Sequence, residues 1–315
     1  MTSLADRART ALDAGRFDLP ALGVGRTPER WAALIDLATD DVDLARLAEA
    51  HVDGVQILNE AGIEAADGCL MGVWASEHPE RPVTIAGRSA LTITLAGSKA
   101  FCSGAGIVDE ALVTVSTPSG PLLVRVPGSL LGPERIDDTG WKVAALREVR
   151  TARVDLGGLV VPAGAIVGPP GWYLERLGFW QGALGPAACW AGAAIGLVHQ
   201  AVRESSDDPH ALAHVGAMGA DERALRSLFD VAGREIDARP AHDDDLVRAL
   251  AVRHTVDLLC ADVEARFARC LGPRSLVSDE AAAERLQALS IYRRQCHGER
   301  DLAALGAALV HGSGP

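Results

Sequence analysis

The pattern of apolar and polar positions changes twice along the chain. Up to residue 66, apolar residues recur at helical spacing, as between Leu44 and Leu58. From 67 to 170, short alternating runs separated by turn residues replace that spacing, and from 171 onward helical spacing returns. This order predicts an α+β fold with N-terminal helices (1–66), a small central β barrel or sandwich (67–170) and a C-terminal antiparallel four-helix bundle (171–315).

Start and stop signals divide the C-terminal region into helices. Asp208 precedes a proline at a first helical position, and Gly272 with Pro273 is a stop signal. The predicted bundle helices are Tyr173–Ser205, Pro209–Ala238, Asp243–Leu271 and Asp279–Val310. The first contains an apolar run, Gly182–Val198, that exceeds what one subunit is expected to cover. A homodimer is therefore predicted.

The stretch from Leu91 to Ala105 carries the most chemical information. It begins as an alternating strand, turns at Gly97 and ends in a small polar loop at 102–104. Small residues with hydroxyl groups after a strand let the backbone approach a flat ligand and offer it hydrogen bonds. Lys99, which follows the glycine turn, is interpreted as a solvated charge at the end of the strand.

Composition narrows the classes of partner and the compartment. The 315 residues have a formal net charge of −12, which argues against nucleic acid and anionic membranes as main partners. The six cysteines contain no Cys-x-x-Cys pair and fit no zinc spacing, so reduced thiols in a cytoplasmic protein and no metal site are expected. No apolar run is long enough and uninterrupted enough to predict a transmembrane segment.

Two segments of the β region resemble the acyl-CoA dehydrogenase family. Gly72–Glu77 stands where that family has its flavin-contacting strand, and Leu95–Gly104 is similar to its Leu-Asn-Gly-x-Lys-x-Phe-Ile-Thr-x-Gly element. The resemblance covers most of the chain from about Asp41 onward. It implies an α domain, a central β domain, a four-helix bundle and an FAD cofactor.

The resemblance also implies which residues touch the flavin. One edge of the isoalloxazine ring would be lined by Trp74, Ser76 and Glu77, and its other side by Cys102, Ser103 and Gly104. Flavin chemistry requires such a surface, because the ring must lie flat against backbone and small side chains, with donors near the atoms that become charged on reduction.

The bundle departs from the family pattern at two places: the catalytic base, and the residues that would contact the diphosphate of FAD. Arg203 is retained but is followed by acidic residues, and the usual Tyr-Glu-Gly-Thr motif of the catalytic glutamate is absent. The nearby carboxylates are Glu299 and Asp301, which become the candidate catalytic bases.

The function predicted from the resemblance is FAD-dependent oxidation of a small-molecule acyl thioester or a related substrate. Two alternatives stay open: a flavin monooxygenase on the same fold, and a degenerate, non-catalytic subunit. Rapid reoxidation of the reduced protein by oxygen would favour the monooxygenase. A colourless protein that refuses FAD would favour the non-catalytic subunit.

Overall fold

The computed structural model describes residues 2–77, 80–239 and 244–311. The chain divides into two compact units. The first comprises the residues up to Asp18 together with Arg46–Phe179, and the second comprises Leu19–Ala45 together with the residues from Trp180 onward. The three predicted domains (1–66, 67–170 and 171–315) stay a prediction about the organisation of the chain. Asp243, the predicted start of the third bundle helix, lies outside the described residues.

The first unit combines helices with three small sheets. Its helices are α1 (Leu4–Asp13) and the larger part of α3 (Val42–Glu60), whereas α2 (Thr27–Asp40) belongs to the second unit. The strands are β1 (Met71–Trp74), β2 (Thr84–Arg88), β3 (Thr92–Ala96), β4 (Ser98–Cys102), β5 (Glu110–Val115), β6 (Leu122–Pro127), β7 (Ile136–Asp137), β8 (Ala152–Asp155), β9 (Val160–Pro162) and β10 (Ile166–Val167).

The strands pair with partners that are distant in sequence. One sheet has the order β1-β5-β6-β10, in which β1 and β5 run parallel and the other neighbours run antiparallel. The other two sheets are antiparallel, with the orders β2-β3-β9 and β4-β8-β7. The sequence predicted the hairpin of β5 and β6, because turn residues separate two apolar runs.

The first unit is held together by an aliphatic core. In β3, Ile93 and Leu95 point inward and are fully buried, while Thr92 and Thr94, which alternate with them, are partly exposed. A second cluster joins α3 to the four-stranded sheet; its buried members are Ile57, Leu58, Met71, Leu112, Leu123, Val167 and Tyr173. Burying such side chains contributes about 1.5–3 kcal/mol each, which makes this core the main support of the strands.

The second unit is helical. Its helices, besides α2, are α6 (Leu184–Glu204), α7 (Pro209–Ala238), α8 (Asp245–Ser278), α9 (Glu280–Tyr292) and α10 (Glu299–His311). Helix α4 (Trp172–Glu175) belongs to the first unit, and the boundary between the units falls within α5 (Gly178–Gly182). The predicted limits of α7 agree with the structure. Its first turn is capped by Asp208, whose carboxylate accepts from the backbone N–H groups of His210 and Ala211 at 3.0 Å.

Helix α6 lies at the centre of the second unit. It packs against α2, α7, α8 and α9, and almost every residue from Leu184 to Val198 is buried. The stretch Gly178–Glu204 is long and apolar enough to cross a membrane, but 83% of its most apolar window is buried inside the protein, as in the core helix of a folded domain. The argument that α6 needs a second subunit to cover it is wrong, because the chain's own helices cover it.

Two predicted helices are interrupted. The segment predicted as Tyr173–Ser205 contains α4, α5 and α6, and the segment predicted as Asp279–Val310 contains α9, a 3₁₀ turn and α10. The second break is at Gly298, whose φ of 53° is unfavourable inside a helix. The predicted stop at Gly272 is a kink with φ 70°, and a further helical turn follows it.

Candidate functional site

The ends of β1 and β4 meet in the first unit. Trp74 closes β1 and is 2% exposed, and its indole N–H donates to the carbonyl oxygen of Ser103 at 2.9 Å. The Ser103 hydroxyl lies 3.0 Å from the hydroxyl of Thr151, just before β8. These two contacts join three strands behind the loop that the sequence singled out at 102–104.

Gly104 makes the loop compact. Its φ is 77°, and its N–H donates to the carbonyl oxygen of Val149 at 2.8 Å. A Cβ atom at this position would lie 2.8 Å from a methyl carbon of Val108 and 3.1 Å from one of Leu47. A side chain is therefore excluded both by the backbone conformation and by the neighbouring residues.

Phe101 is the residue that the sequence analysis missed. It is 69% exposed and has a φ of 55°, which is strained for a bulky side chain. The cause is a register shift in the pairing of β4 with β8 between Lys99 and Cys102, which turns the Phe101 side chain away from the core. The signal in the sequence was a phenylalanine beside small polar residues. An exposed aromatic ring on strained backbone is typical of a ligand surface.

Lys99 is fully buried, so its interpretation as a solvated charge is wrong. Its ammonium group donates to Glu77 Oε1 at 2.5 Å and to Thr114 Oγ1 at 2.6 Å. Burial lowers the pKa of Lys99, and the hydrogen bond and charge of Glu77 oppose that shift. The sequence could not show this pairing, because Glu77 lies 22 positions away from Lys99.

The six predicted flavin contacts fall into two groups. Trp74, Cys102, Ser103 and Gly104 are buried, whereas Ser76 and the side chain of Glu77 are exposed. Burial strongly raises the pKa of the Cys102 thiol, which stays neutral. The first group thus shapes the loop from behind, while the second lies on the surface. Their roles as flavin contacts stay a prediction.

The two predicted bases lie in the first turn of α10, in the second unit. Glu299 is exposed. The Asp301 carboxylate accepts from the backbone N–H of His297 at 3.1 Å, and its other oxygen is 3.6 Å from the His297 ring. Asp301 therefore stabilises the start of α10, a use of a carboxylate that is common at helix N-termini. A catalytic role of either residue stays a prediction.

The metal-ligating residue types form no candidate metal centre in the described ranges. No group of three or more His, Cys, Asp or Glu side chains lies close enough there to hold a metal ion. All six cysteines are free thiols, of which Cys102, Cys189 and Cys260 are buried.

Solved structures decide the fold. The butyryl-CoA dehydrogenase of Megasphaera elsdenii is 17% identical, with a TM-score of 0.80 over 97% of this chain and 90% of its own. This chain has an acyl-CoA dehydrogenase-like fold. The dibenzothiophene monooxygenase TdsC of Paenibacillus sp. A11-2 is 16% identical (TM-score 0.78, 99% and 96% of the two chains). The methanesulfinate monooxygenase MsuC of Pseudomonas fluorescens is 16% identical, with a TM-score of 0.72 over 100% of this chain and 98% of its own.

These similarities confirm the predicted α+β fold class and the resemblance in fold. No protein-family model matches the sequence, and no curated protein matches it. At identities of 16–17%, the similarity establishes the fold, and the reaction has to be argued from the site.

Proposed function

We propose that this chain is a flavin-dependent oxidoreductase that holds the isoalloxazine ring of FAD or FMN against Phe101 and the segment 75–77. The observation that carries the proposal is the Phe101 ring, which is exposed and lies on strained backbone. It is followed by the loop at 102–104, whose backbone excludes any residue but glycine at position 104. The surface fits a flat ring system, because it offers one aromatic face, the hydroxyl group of Ser76 and a tightly turned backbone.

Neighbours of the same fold support a flavin as the cofactor. TdsC was solved with FMN and indole, and KijD3, 16% identical with a TM-score of 0.78, was solved with FMN and a sugar nucleotide. When bound, the flavin would accept electrons from a substrate or pass them to oxygen. The chain's own residues bind and orient the ring, and the buried residues behind it keep the loop rigid.

Stacking on Phe101 can be tested by flavin binding. Asparagine tolerates a positive φ, so Phe101→Asn removes the ring without a cost in backbone strain. Aromatic stacking contributes about 0.5–1.5 kcal/mol, so the Kd for FMN or FAD should rise about 2- to 10-fold. Leu130→Asn is the control, because Leu130 is also an exposed apolar side chain of the first unit, outside the site. A wild-type chain that binds neither flavin at saturating concentration would overturn the proposal.

The first candidate reaction is oxidation of an acyl thioester or a related small molecule. It requires a base that removes a proton from the substrate. Anaerobic addition of a short acyl-CoA to the flavin-loaded protein should then bleach the visible flavin band. Glu299→Gln should abolish the bleaching, whereas Asp301→Asn should mainly lower the stability of α10.

The second candidate is monooxygenation, and the hydrogen bond from His297 to Asp301 favours it. That contact engages one of the two candidate bases in capping α10, and a monooxygenase does not need this carboxylate. Two structures of the same fold, TdsC and MsuC, are monooxygenases by name. The chemically reduced, flavin-loaded protein should then reoxidise rapidly in oxygenated buffer. No bleaching with acyl-CoA should be seen.

We further propose a homodimer, with α10 as the contact. Residues 302–310 of α10 are apolar throughout, no residue of the helix is buried, and Leu309 and Val310 are 68% and 74% exposed. The same apolar helix on a second copy is a self-complementary partner, as a twofold contact requires. A helix about 20 Å long covers less than the roughly 800 Å² per partner of a stable interface, so other surfaces must contribute. Leu309→Glu should shift the mass measured by light scattering to the monomer.

A cytoplasmic location is also proposed. It is supported by the free state of all six cysteines, since thiols persist in reducing compartments. Fractionation of cells that express a tagged chain would test the location directly.

A further inference from the structure

Lys99 brings a positive charge into the interior of the first unit. Lysine is almost never fully buried unless it is paired, because an isolated ammonium group loses its hydration there. The exposed fraction of Lys99 is 0%, whereas the side chain of its partner Glu77 is 42% exposed. The ammonium group of this ion pair, on β4, is therefore buried, whereas its carboxylate partner, on the segment that follows β1, is in contact with solvent.

Thr114 on β5 completes the network. Its hydroxyl group accepts from Lys99 and lies within hydrogen-bond distance of two acceptors, Glu77 Oε1 at 3.0 Å and the Ala75 carbonyl oxygen at 3.3 Å. The backbones of Glu77 and Lys99 also form an isolated antiparallel bridge. Segment 75–77 is therefore attached to β4 and β5 by one charge, one hydroxyl group and one backbone pair.

The network leads to both exposed parts of the proposed flavin surface. Ser76 lies between Ala75 and Glu77, the two residues that the network fixes, and its side chain points to solvent. Phe101 is two residues after Lys99 on β4. We propose that Lys99 is a positioning residue: through Glu77 and Thr114 it fixes segment 75–77 beside Phe101, so that the protein presents a preformed flavin surface. This inference rests on the function proposed above.

A preformed surface binds more tightly than a mobile one, because the ordering entropy has been lost before the ligand arrives. Lys99→Met keeps the length of the side chain and removes the charge, and Glu77 stays hydrated because it is half exposed. The expected result is a rise of about tenfold in the Kd for FMN or FAD, because hydrogen bonds to a charged group are lost.

Arg125→Met is the matched control. It removes the cation of another cross-strand pair, in which Arg125 Nε donates to Glu110 Oε1 at 2.5 Å, away from segment 75–77. Both variants lower the stability of the first unit, and binding is measured well below their unfolding temperatures. Only Lys99→Met is expected to weaken flavin binding. Thr114→Val, which leaves the Lys99–Glu77 pair in place, is the second variant if Lys99→Met does not fold.

The pH profile separates positioning from a general loss of stability. Burial lowers the pKa of Lys99, and the titratable groups beside it are Glu77 and the Cys102 thiol, whose own pKa burial raises. Flavin affinity of the wild type should therefore fall at alkaline pH as Lys99 loses its proton. Lys99→Met should lack this fall, apart from the ionisation of the flavin itself, which affects both proteins equally.

Amide hydrogen exchange gives a readout that needs no flavin. The amides of residues 75–77 should exchange faster in Lys99→Met than in the wild type or in Arg125→Met. Unchanged exchange together with unchanged flavin affinity would overturn the positioning role. A wild type that binds no flavin would overturn the proposed function, and the exchange experiment would still decide whether Lys99 fixes the segment.

Discussion

Gly97 connects β3 to β4 and offers a direct test of how the first unit is built. Its φ is 94°, and a Cβ atom would collide with the carbonyl group of Pro82, 2.9 Å from the carbon, and lie 3.0 Å from the Arg81 oxygen. The backbone on both sides is engaged, because the Gly97 carbonyl accepts from Leu156 and the Ser98 N–H donates to Arg81. The backbone of the turn therefore cannot shift to make room for a Cβ atom.

The expected cost of Gly97→Ala follows from these contacts. A positive φ costs a non-glycine residue about 1–2 kcal/mol, and overpacking against backbone costs about 1–3 kcal/mol. Alanine also lowers the conformational entropy of the unfolded chain, which offsets about 0.4–1 kcal/mol of this loss in stability. The net loss is about 3 kcal/mol, a large part of the 5–15 kcal/mol of a typical domain.

Urea unfolding, followed by tryptophan fluorescence and far-UV circular dichroism, would measure the loss. With an m-value of about 2 kcal/mol/M, the midpoint should fall by about 1.5 M. Gly87→Ala is the matched control, because Gly87 lies on neighbouring β2 and a Cβ there meets only the Thr94 side chain, at 3.6 Å and 3.7 Å. Equal midpoints for the two variants would refute the reasoning.

Three further predictions concern the second unit. Burial and the adjacent Asp262 carboxyl raise the pKa of Asp221 to about 6, so its contribution to stability is complete below pH 4 and is lost as pH rises through 6. Asp221→Asn should therefore unfold at higher urea than the wild type at pH 8, with no such gain at pH 4; a gain that does not depend on pH would contradict this. Gly192→Ala should lower the melting temperature, because the added Cβ atom would lie 2.7 Å from the Ala38 Cβ atom and would overlap the carbonyl oxygen of Ile35. Gly216→Ala, with open space around the added Cβ atom, should raise the melting temperature, because alanine has the higher helix propensity.

The order of elements could be predicted because it depends on local patterns. The predicted limits of α7 are those of the structure, since Asp208 and Pro209 are capping signals that act within one turn. The strands around Ile93 and Val113 were found from alternation and apolar runs. In both cases the signal that identifies the element lies within neighbouring residues of the sequence.

The missed features depend on residues that are distant in the sequence. Strand β4 was not predicted as a strand, since Lys99 is buried and Phe101 is exposed, which reverses the usual polarity of a strand. The Glu77 carboxylate and the Thr114 hydroxyl group make the buried lysine favourable, and nothing in the local sequence identifies these partners. The exposed part of the candidate site was therefore only partly predictable: Ser76 was named, and Phe101 was not.

The thiols have a practical consequence for chemical work on the protein. Burial raises the pKa of Cys69 to about 11 and raises those of Cys102, Cys260 and Cys270, so these sulfurs carry little thiolate near neutral pH. Alkylating reagents react with thiolates and require access. A fluorescent label at Cys296, which is half-buried and three residues before α10, would lie next to that helix. A single dye there would report whether the apolar C-terminal helix changes its surroundings in the proposed homodimer.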